Sequence, residues 1–311
     1  MGHGHHHHHH HHVDPDAGDR RVAAAVAINL GLTVVQVLGG ILAGSLALIA
    51  DALHNFSDAI SLIIAYAARR IARRPADPAM TFGYGRAEVV AALINYTTLI
   101  VVGLYLTAEA VGRLLIPQGV DGWLVVVIAG VALAVDLATA ALTWTMSKTS
   151  MNIRAAFLHN VADALGSVAV ILAGTAILLW DWRLADPIVT LAIAGYILWM
   201  ALSEIGGVIR ILMLGSPPEL DAAGVAVSLA EVEGVREAHH LHLWQMQEHA
   251  AALEAHLVVE AGRWVDADAI KVRAKTMLRD RYGIAHATLE LECARHACGD
   301  VMAIGHAEPA R

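Results

Sequence analysis

Leu53-His54-Asn55-Phe56-Ser57-Asp58-Ala59 is echoed further along the chain by Leu158-His159-Asn160-Val161-Ala162-Asp163-Ala164. Both stretches read Leu-His-Asn-x-x-Asp-Ala, and each lies inside a long apolar run. A His and an Asp four residues apart share one helix face, one turn apart. An ionisable side chain in hydrocarbon is costly unless partnered, so it is read first as functional. The bland alternative, a helix–helix hydrogen bond, accounts poorly for the same pair occurring twice. His54, Asp58, His159 and Asp163 together offer two imidazoles and two carboxylates, a tetrahedral donor set for a divalent cation.

Working outward, the surroundings are those of a membrane protein. Of the 311 residues, 57% are hydrophobic and 16% charged, against about 45–50% and about 25% in an ordinary soluble domain. The surplus falls into six apolar segments, at 22–43, 47–70, 88–112, 122–146, 154–180 and 187–212. Each can cross about 30 Å of hydrocarbon at 1.5 Å per residue. Backbone polar groups find no water there, so the segments are expected to be helices, a six-helix transmembrane bundle over residues 22–212. Gly44-Ser45, Pro75 with Pro78, Pro117 with Gly119, and Asp186-Pro187 punctuate them. Arg20, Arg21, Arg69, Arg70, Arg73, Arg74, Arg86, Lys148, Arg154 and Arg210 fall on one side, and only Arg113 and Arg183 on the other. That bias predicts both termini in the cytoplasm of a multi-pass protein of the cell's inner (plasma) membrane. No cleavable signal peptide is expected, because the first apolar run is too long for one.

The ends of the chain differ from its middle. Residues 1–21 form a polar arm rich in His, either a purification tag or a metal-collecting arm. From Pro217 the pattern turns soluble: helix 219–231, strands 235–246 and 250–260, helix 266–281, strand 285–292. The order αββαβ predicts a small α+β domain with helices on one face of an open sheet. Residues 293–311 read as a flexible tail. Cys293 and Cys298 alone make no disulfide framework.

Asp51, His54, Asn55 and Asp58 form one stripe of the second span, which makes Asp51 and Asn55, with Asn160, candidates to orient the ligands. Asp136 is read as a structural hydrogen-bonding group, paired with Asn29 or Gln36. Two nitrogens and two oxygens suit Zn²⁺, whereas Mg²⁺ and Ca²⁺ ask for oxygens alone. Imidazole and carboxylate also bind H⁺, so metal and proton compete for the same atoms. A site exposed alternately to the two sides would exchange one for the other.

Several motifs together resemble the cation diffusion facilitator family of metal/proton antiporters. They are ADALHNFSDA (50–59), FGYGRAEVVAALIN (82–95), LHNVADALGSV (158–168), GSPPEL (215–220), HLHLW (240–244) and HATLELE (286–292). The resemblance implies six transmembrane helices, a ferredoxin-like cytoplasmic domain over 213–292, and a homodimer in the lipid bilayer. It also implies Zn²⁺ efflux against H⁺ through His54, Asp58, His159 and Asp163. Relatives with Asp for the first His accept more metals, so His54 favours zinc over cadmium, iron or manganese. A regulatory metal site in the cytoplasmic domain is implied at His239, His256 and Glu292, sometimes with a tail cysteine, here Cys293 or Cys298. Strand alternation sets His239 on the face of Leu241 and Leu243, unless a bulge turns it.

Two departures are visible. The loop from Arg69 to Tyr84 has Asp77 but no His, so no metal is expected there. A Lys–Asp interlock between the third and sixth helices is in doubt, because Arg86 would face Met213. Other classes fit less well. A membrane metalloenzyme lacks an H-E-x-x-H or comparable base, a metal sensor lacks a recognisable effector motif, and nothing points to nucleic acid.

Overall fold

The computed structural model describes residues 30–147, 151–247, 250–299 and 302–305, without the side chains of 62, 142, 143, 145–147, 151–156 and 159. The described residues fall into two compact units: those up to 63 together with those in 97–202, and those in 64–96 together with those from 203 on. The His-rich arm and the start of the first expected span, 22–29, lie outside the described residues.

The helices are α1 (Leu30–Ala43 as described), α2 (Leu46–Ala72), α3 (Ala87–Leu115), α4 (Gly122–Ser147), α5 (Met151–Trp180) and α6 (Ala185–Leu212). The last five are long and apolar enough to cross a membrane. Their polarity is inverted relative to a soluble bundle. Leu38, Leu42, Leu104, Leu165, Leu172 and Trp199 are exposed, while Gln36, Asp51, His54, Asp136, Asp163 and Ser167 are buried. Apolar surface on this scale needs a lipid solvent.

In the first unit, α4 and α5 meet backbone to backbone. A Cβ on Gly122 would come 2.6 Å from Gly174 O, and one on Gly174 would come 2.9 Å from Val125 Cγ1. Small residues allow such approach where lipid gives helices little hydrophobic reason to associate. Ala43, Leu48, Val125, Ala129 and Val170 close the apolar cluster around this contact.

The start of α2 is fixed by a residue far along the chain. Ser45 Oγ accepts from Leu48 N–H at 3.1 Å, the usual N-cap bond. Asp186, only 1% exposed, accepts from Leu46 N–H at 2.9 Å and Ala47 N–H at 3.2 Å, and from the Ser45 hydroxyl. Arg113 donates to Gly44 O and lies 3.9 Å from Asp186 Oδ2. A carboxylate at this helix end takes up otherwise unbonded N–H groups and opposes the positive end of the dipole. Gly44 has φ +70°, and a Cβ there would come 2.8 Å from Gly119 O. Asp186→Ala is therefore expected to lower stability by about 2–3 kcal/mol, read as a fall in melting temperature of the detergent-purified protein. An unchanged melting temperature would refute the cap.

The second unit holds the remaining helical ends and the α+β domain. Val89, Val208 and Ile211 pack together. The domain runs α7 (Ala222–Ala230), β1 (Val235–Gln247), β2 (Ala250–Val259), a 3₁₀ turn (Trp264–Asp266), α8 (Ala267–Tyr282) and β3 (His286–Cys293), the expected αββαβ order. The sheet order is β1-β2-β3, antiparallel then parallel. Leu229, Leu243, Leu253, Leu257, Ile270 and Leu278 form the core between helices and sheet. The first helix is shorter than expected, since Asp221 caps it by accepting from Ala223 N–H and Gly224 N–H. Within the stretch expected to be a flexible tail, Met302 and Ala303 accept from His240 N–H and Leu241 N–H, at 3.0 and 3.2 Å.

Arg86 donates to the main-chain carbonyls of Met246 and Gln245, at 3.3 and 3.4 Å. This ties the start of α3 to the end of β1, a role that needs no acidic partner at 213. In the loop before α3, Asp77 accepts from Tyr84 OH at 2.7 Å and from Ala79 and Met80 N–H, each at 2.8 Å. The Tyr84 hydroxyl first, then the Met80 and Ala79 amides, hold this carboxyl below its usual range. Because its folded value is depressed, the loop gains stability above the unfolded carboxylate pKa and loses it as pH falls through the folded one. Amide exchange at Ala79 and Met80, corrected for intrinsic rates, is expected to lose protection on acidification below that range. Constant protection would contradict it.

Candidate metal centres

The first cluster lies in the apolar unit. α2 carries His54 and Asp58, and α5 carries Asp163, each pair-forming residue placed by the one-turn spacing of its helix. His54 Nε2 lies 3.8 Å from Asp58 Oδ2 and 3.6 Å from Asp163 Oδ1. One donor atom from each of the three falls within 4.8 Å of the others. In a tetrahedral zinc site with bonds of about 2.0–2.1 Å, donors stand about 3.3 Å apart. The two distances from His54 are thus a few tenths of an ångström longer than in a closed shell. His54 and Asp163 are buried, at 7% and 8% exposure. His159 lies in α5 one turn before Asp163, and its side chain is outside the described residues.

A layer of neutral donors borders this cluster. Gln36 Nε2 donates to Asp51 Oδ2 at 2.7 Å, and Asn55 Nδ2 donates to Gln36 Oε1 at 3.4 Å. A Cβ on Gly166 would come 3.1 Å from Asp51 Oδ1, so α2 and α5 approach closely just past the cluster. Asp136 accepts from Ser167 Oγ at 3.1 Å. The expected pairing of Asp136 with Gln36 is corrected here, since Gln36 is engaged with Asp51 and Asn55; Asn29 lies outside the described residues. The Tyr196 ring meets His54 edge-on at 6.0 Å between centroids, a neighbour that sequence alone gave no sign of.

The second cluster lies on the sheet face away from the helices. His239 pairs across with His256, while His242 pairs with Glu254, so β1 uses one residue more than β2 between the pairs. This is a bulge, with His240 at φ +51°. It moves His239 from the face of Leu241 and Leu243 to that of His242, His256 and Glu254. The alternation that argued against His239 is broken where it matters. On β3, Glu290 and Glu292 share the outer face, while Leu289 and Leu291 pack inward.

His239, His256, Glu292 and Cys298 place donor atoms within 4.8 Å of one another. His256 Nδ1 is 2.8 Å from Glu292 Oε1, and His239 Nε2 is 3.4 Å from Glu292 Oε2. His239 is 1% exposed, yet neither ring nitrogen makes a hydrogen bond. Such a buried group costs about 1–3 kcal/mol, which a metal bond would offset, so the residues present fit a metal. Burial pushes the Glu292 carboxyl up, but the Cys298 N–H and thiol, with His256 and His239, hold it below the usual range. The Cys298 thiol donates to Glu292 and is pushed up by it. Cys293 turns elsewhere: its Sγ lies 3.1 Å from His296 Nδ1, which holds the thiol below its ordinary value.

Apolar helices facing outward around a buried imidazole–carboxylate cluster, joined to a small α+β domain, define a multi-pass membrane protein built to handle cations. Residues 22–213 match the cation efflux transmembrane domain, and residues 217–293 match the cation efflux protein cytoplasmic domain. The chain belongs to this cation efflux family, the cation diffusion facilitators. Among its relatives is a "Cadmium, cobalt and zinc/H(+)-K(+) antiporter" of Bacillus velezensis, 35% identical, with 86% of each chain covered. The "Metal cation efflux system protein CzcD" of Cupriavidus metallidurans is 32% identical over 95% of this chain and 93% of its own. The "Zinc transporter ZitB" of Escherichia coli is 34% identical over 89% of this chain and 88% of its own. The protein is a metal-cation transporter, not an enzyme.

Proposed function

We propose that the protein exports Zn²⁺ from the cytoplasm in exchange for H⁺. The observation that carries this is the convergence of His54, Asp58 and Asp163 from two apolar helices, His54 and Asp163 buried and Asp58 half-buried, all within ligand reach of one another. His159, one turn from Asp163, would supply the fourth donor. Two nitrogens and two oxygens favour a borderline ion such as Zn²⁺ over the harder Mg²⁺ or Ca²⁺. Each ligand also takes a proton when the metal leaves, so the cluster carries one cargo outward and the other back. The relatives differ in the metals they are named for, cadmium and cobalt with zinc in one case and zinc in another, so selectivity is part of the proposal. Protein reconstituted in liposomes and challenged with a metal series is expected to show Zn²⁺ flux dependent on a pH gradient. Zn²⁺ flux indifferent to that gradient would reject the exchange.

In the same reading both termini face the cytoplasm, and the α+β domain is ferredoxin-like and pairs two protomers into a homodimer. His239, His256 and Glu292 hold a regulatory ion there. His239, buried with unbonded nitrogens, supports that assignment. The ion would supply cross-strand bonds between β1, β2 and β3, and the residues' own part is to hold and orient it.

A further inference from the structure

We infer that the cavity between the end of α2 and the start of α3 binds an anionic phospholipid of the surrounding bilayer, with an acyl chain against the two helices and the phosphate among the arginines at the mouth. Which ion the protein carries has no bearing on this site.

The cavity lies wholly within the second unit and measures about 800 Å³, inside the range of about 300–1,000 Å³ that holds small organic ligands. Ile64, Ala67 and Ile71 line it from α2, and Ala87, Val90 and Ile94 from α3. Residues three and four apart share a helix face, so each helix gives the cavity one apolar stripe. From Ile64 to Ile71, and from Ala87 to Ile94, the stripe rises about 10 Å. Leu214, with Trp244 and Met246 of β1, adds further apolar lining. Gly85 permits the close fit at its edge, since a Cβ there would come 2.3 Å from Gln247 Cδ. Met80 and Phe82, on the loop before α3, line the cavity while exposed at 44% and 67%. Apolar side chains left open at the end of two membrane helices are better covered by lipid than by water.

The mouth is cationic. The last helical turn of α2 runs on to Arg74, whose N–H donates to Ile71 O at 3.0 Å. Arg74 therefore continues the stripe of Ile64, Ala67 and Ile71 beyond its apolar part. Its guanidinium stands 5.9 Å from the centre of the Tyr84 ring, and Tyr84 lines the cavity. Arg86 lines it too. Two of its N–H groups go to the Gln245 and Met246 carbonyls; a guanidinium has five, so donors are left for a phosphate. Over residues 69–88, Arg69, Arg70, Arg73, Arg74 and Arg86 outnumber Asp77 and Glu88. Asp77 already accepts from Tyr84 OH and from the Ala79 and Met80 amides. A positive mouth on an apolar slot matches an amphiphile that is negative at one end. A soluble anion would leave the apolar walls in water, and a zwitterionic lipid would leave the arginines without a net partner.

The full-length protein in detergent, stripped of lipid, is titrated with phospholipids brominated on one acyl chain. Trp244 reports contact, as the fluorescence lost from the wild type beyond that lost from Trp244→Phe. Phosphatidylglycerol is expected to quench this component saturably, and phosphatidylcholine to require about tenfold more. High salt is expected to narrow that difference. Arg74→Gln is expected to weaken phosphatidylglycerol about fivefold and to leave phosphatidylcholine unchanged. Val90→Phe, which fills the slot, is expected to weaken both, with each variant melting near the wild-type temperature. Equal affinity for the two lipids, unmoved by Arg74→Gln, would make this ordinary lipid-facing surface and overturn the site. Quenching by neither lipid would also overturn it. Disulfide linking of Phe82→Cys protomers that lack Cys293 and Cys298 would then identify a second copy of the chain as the occupant.

Discussion

Asp163→Ala is expected to abolish gradient-driven Zn²⁺ flux in liposomes, by about 100-fold or more. The estimate starts from what loss of an outer hydrogen-bonding partner does to a metal site, about 10–100-fold in affinity, and a ligand itself carries at least as much. Asp163 is also the residue that joins the helices, since its Oδ1 lies 3.6 Å from His54 Nε2 while α2 alone supplies His54 and Asp58. Without it the donors of α2 face no carboxylate from α5. A divalent ion would then meet less negative charge than its dehydration demands. Asp163→Asn separates charge from shape, because the amide keeps the volume and one oxygen donor but not the anion. It is expected to fail nearly as badly. Flux in either variant within a few-fold of wild type would remove Asp163 from the ligand set. A melting temperature close to that of the wild type is expected for both, since each relieves the burial of a charge rather than leaving one stranded.

The parts of this protein that were legible in the sequence are those governed by a short period. The Leu-His-Asn-x-x-Asp-Ala repeat could be placed on helix faces because residues four apart must share one, and His54, Asp58 and Asp163 do converge. The αββαβ order could be read because β2 alternates cleanly and α8 is bounded by polar turns. What could not be read depends on contacts without a period. Asp186 caps a helix whose first residue lies 140 positions earlier in the chain. At sequence level it is only a residue before a proline. His239 sits on the parity of Leu241 and Leu243 until one inserted residue in β1 reverses the face. The bulge itself rests on His240 at positive φ, which a His tolerates but does not announce. Cys298 has no strand to assign it a face, and its place follows from bonds to Glu292 that no local pattern encodes. Asp136 shows the same limit within the bundle. Its burial was predictable, but its bond to Ser167 rather than Gln36 was a matter of which helix stood beside it.

His54→Asp tests the chemistry of the cluster rather than its existence. The substitution keeps a donor on the same helix turn but exchanges a neutral nitrogen for an anionic oxygen. Oxygen-rich sites suit Mn²⁺ and its kind, while imidazole favours zinc and its neighbours in the divalent series. The variant is therefore expected to retain metal flux while its preference for Zn²⁺ over Mn²⁺ falls roughly tenfold or more, a change of about 1.4 kcal/mol in relative binding. The shorter Asp side chain leaves a gap beside the Tyr196 ring, which meets His54 edge-on in the native cluster. That gap adds room for a larger ion, so the two effects act in one direction. Competition between Zn²⁺ and Mn²⁺ in the same liposomes reads the outcome directly. An unchanged ratio with flux intact would mean that His54 does not select the metal, and that specificity is set by the depth and width of the helix pair instead. Loss of all flux would point to His54 as a proton carrier the cycle needs at neutral pH, where an imidazole titrates and an ordinary carboxylate does not.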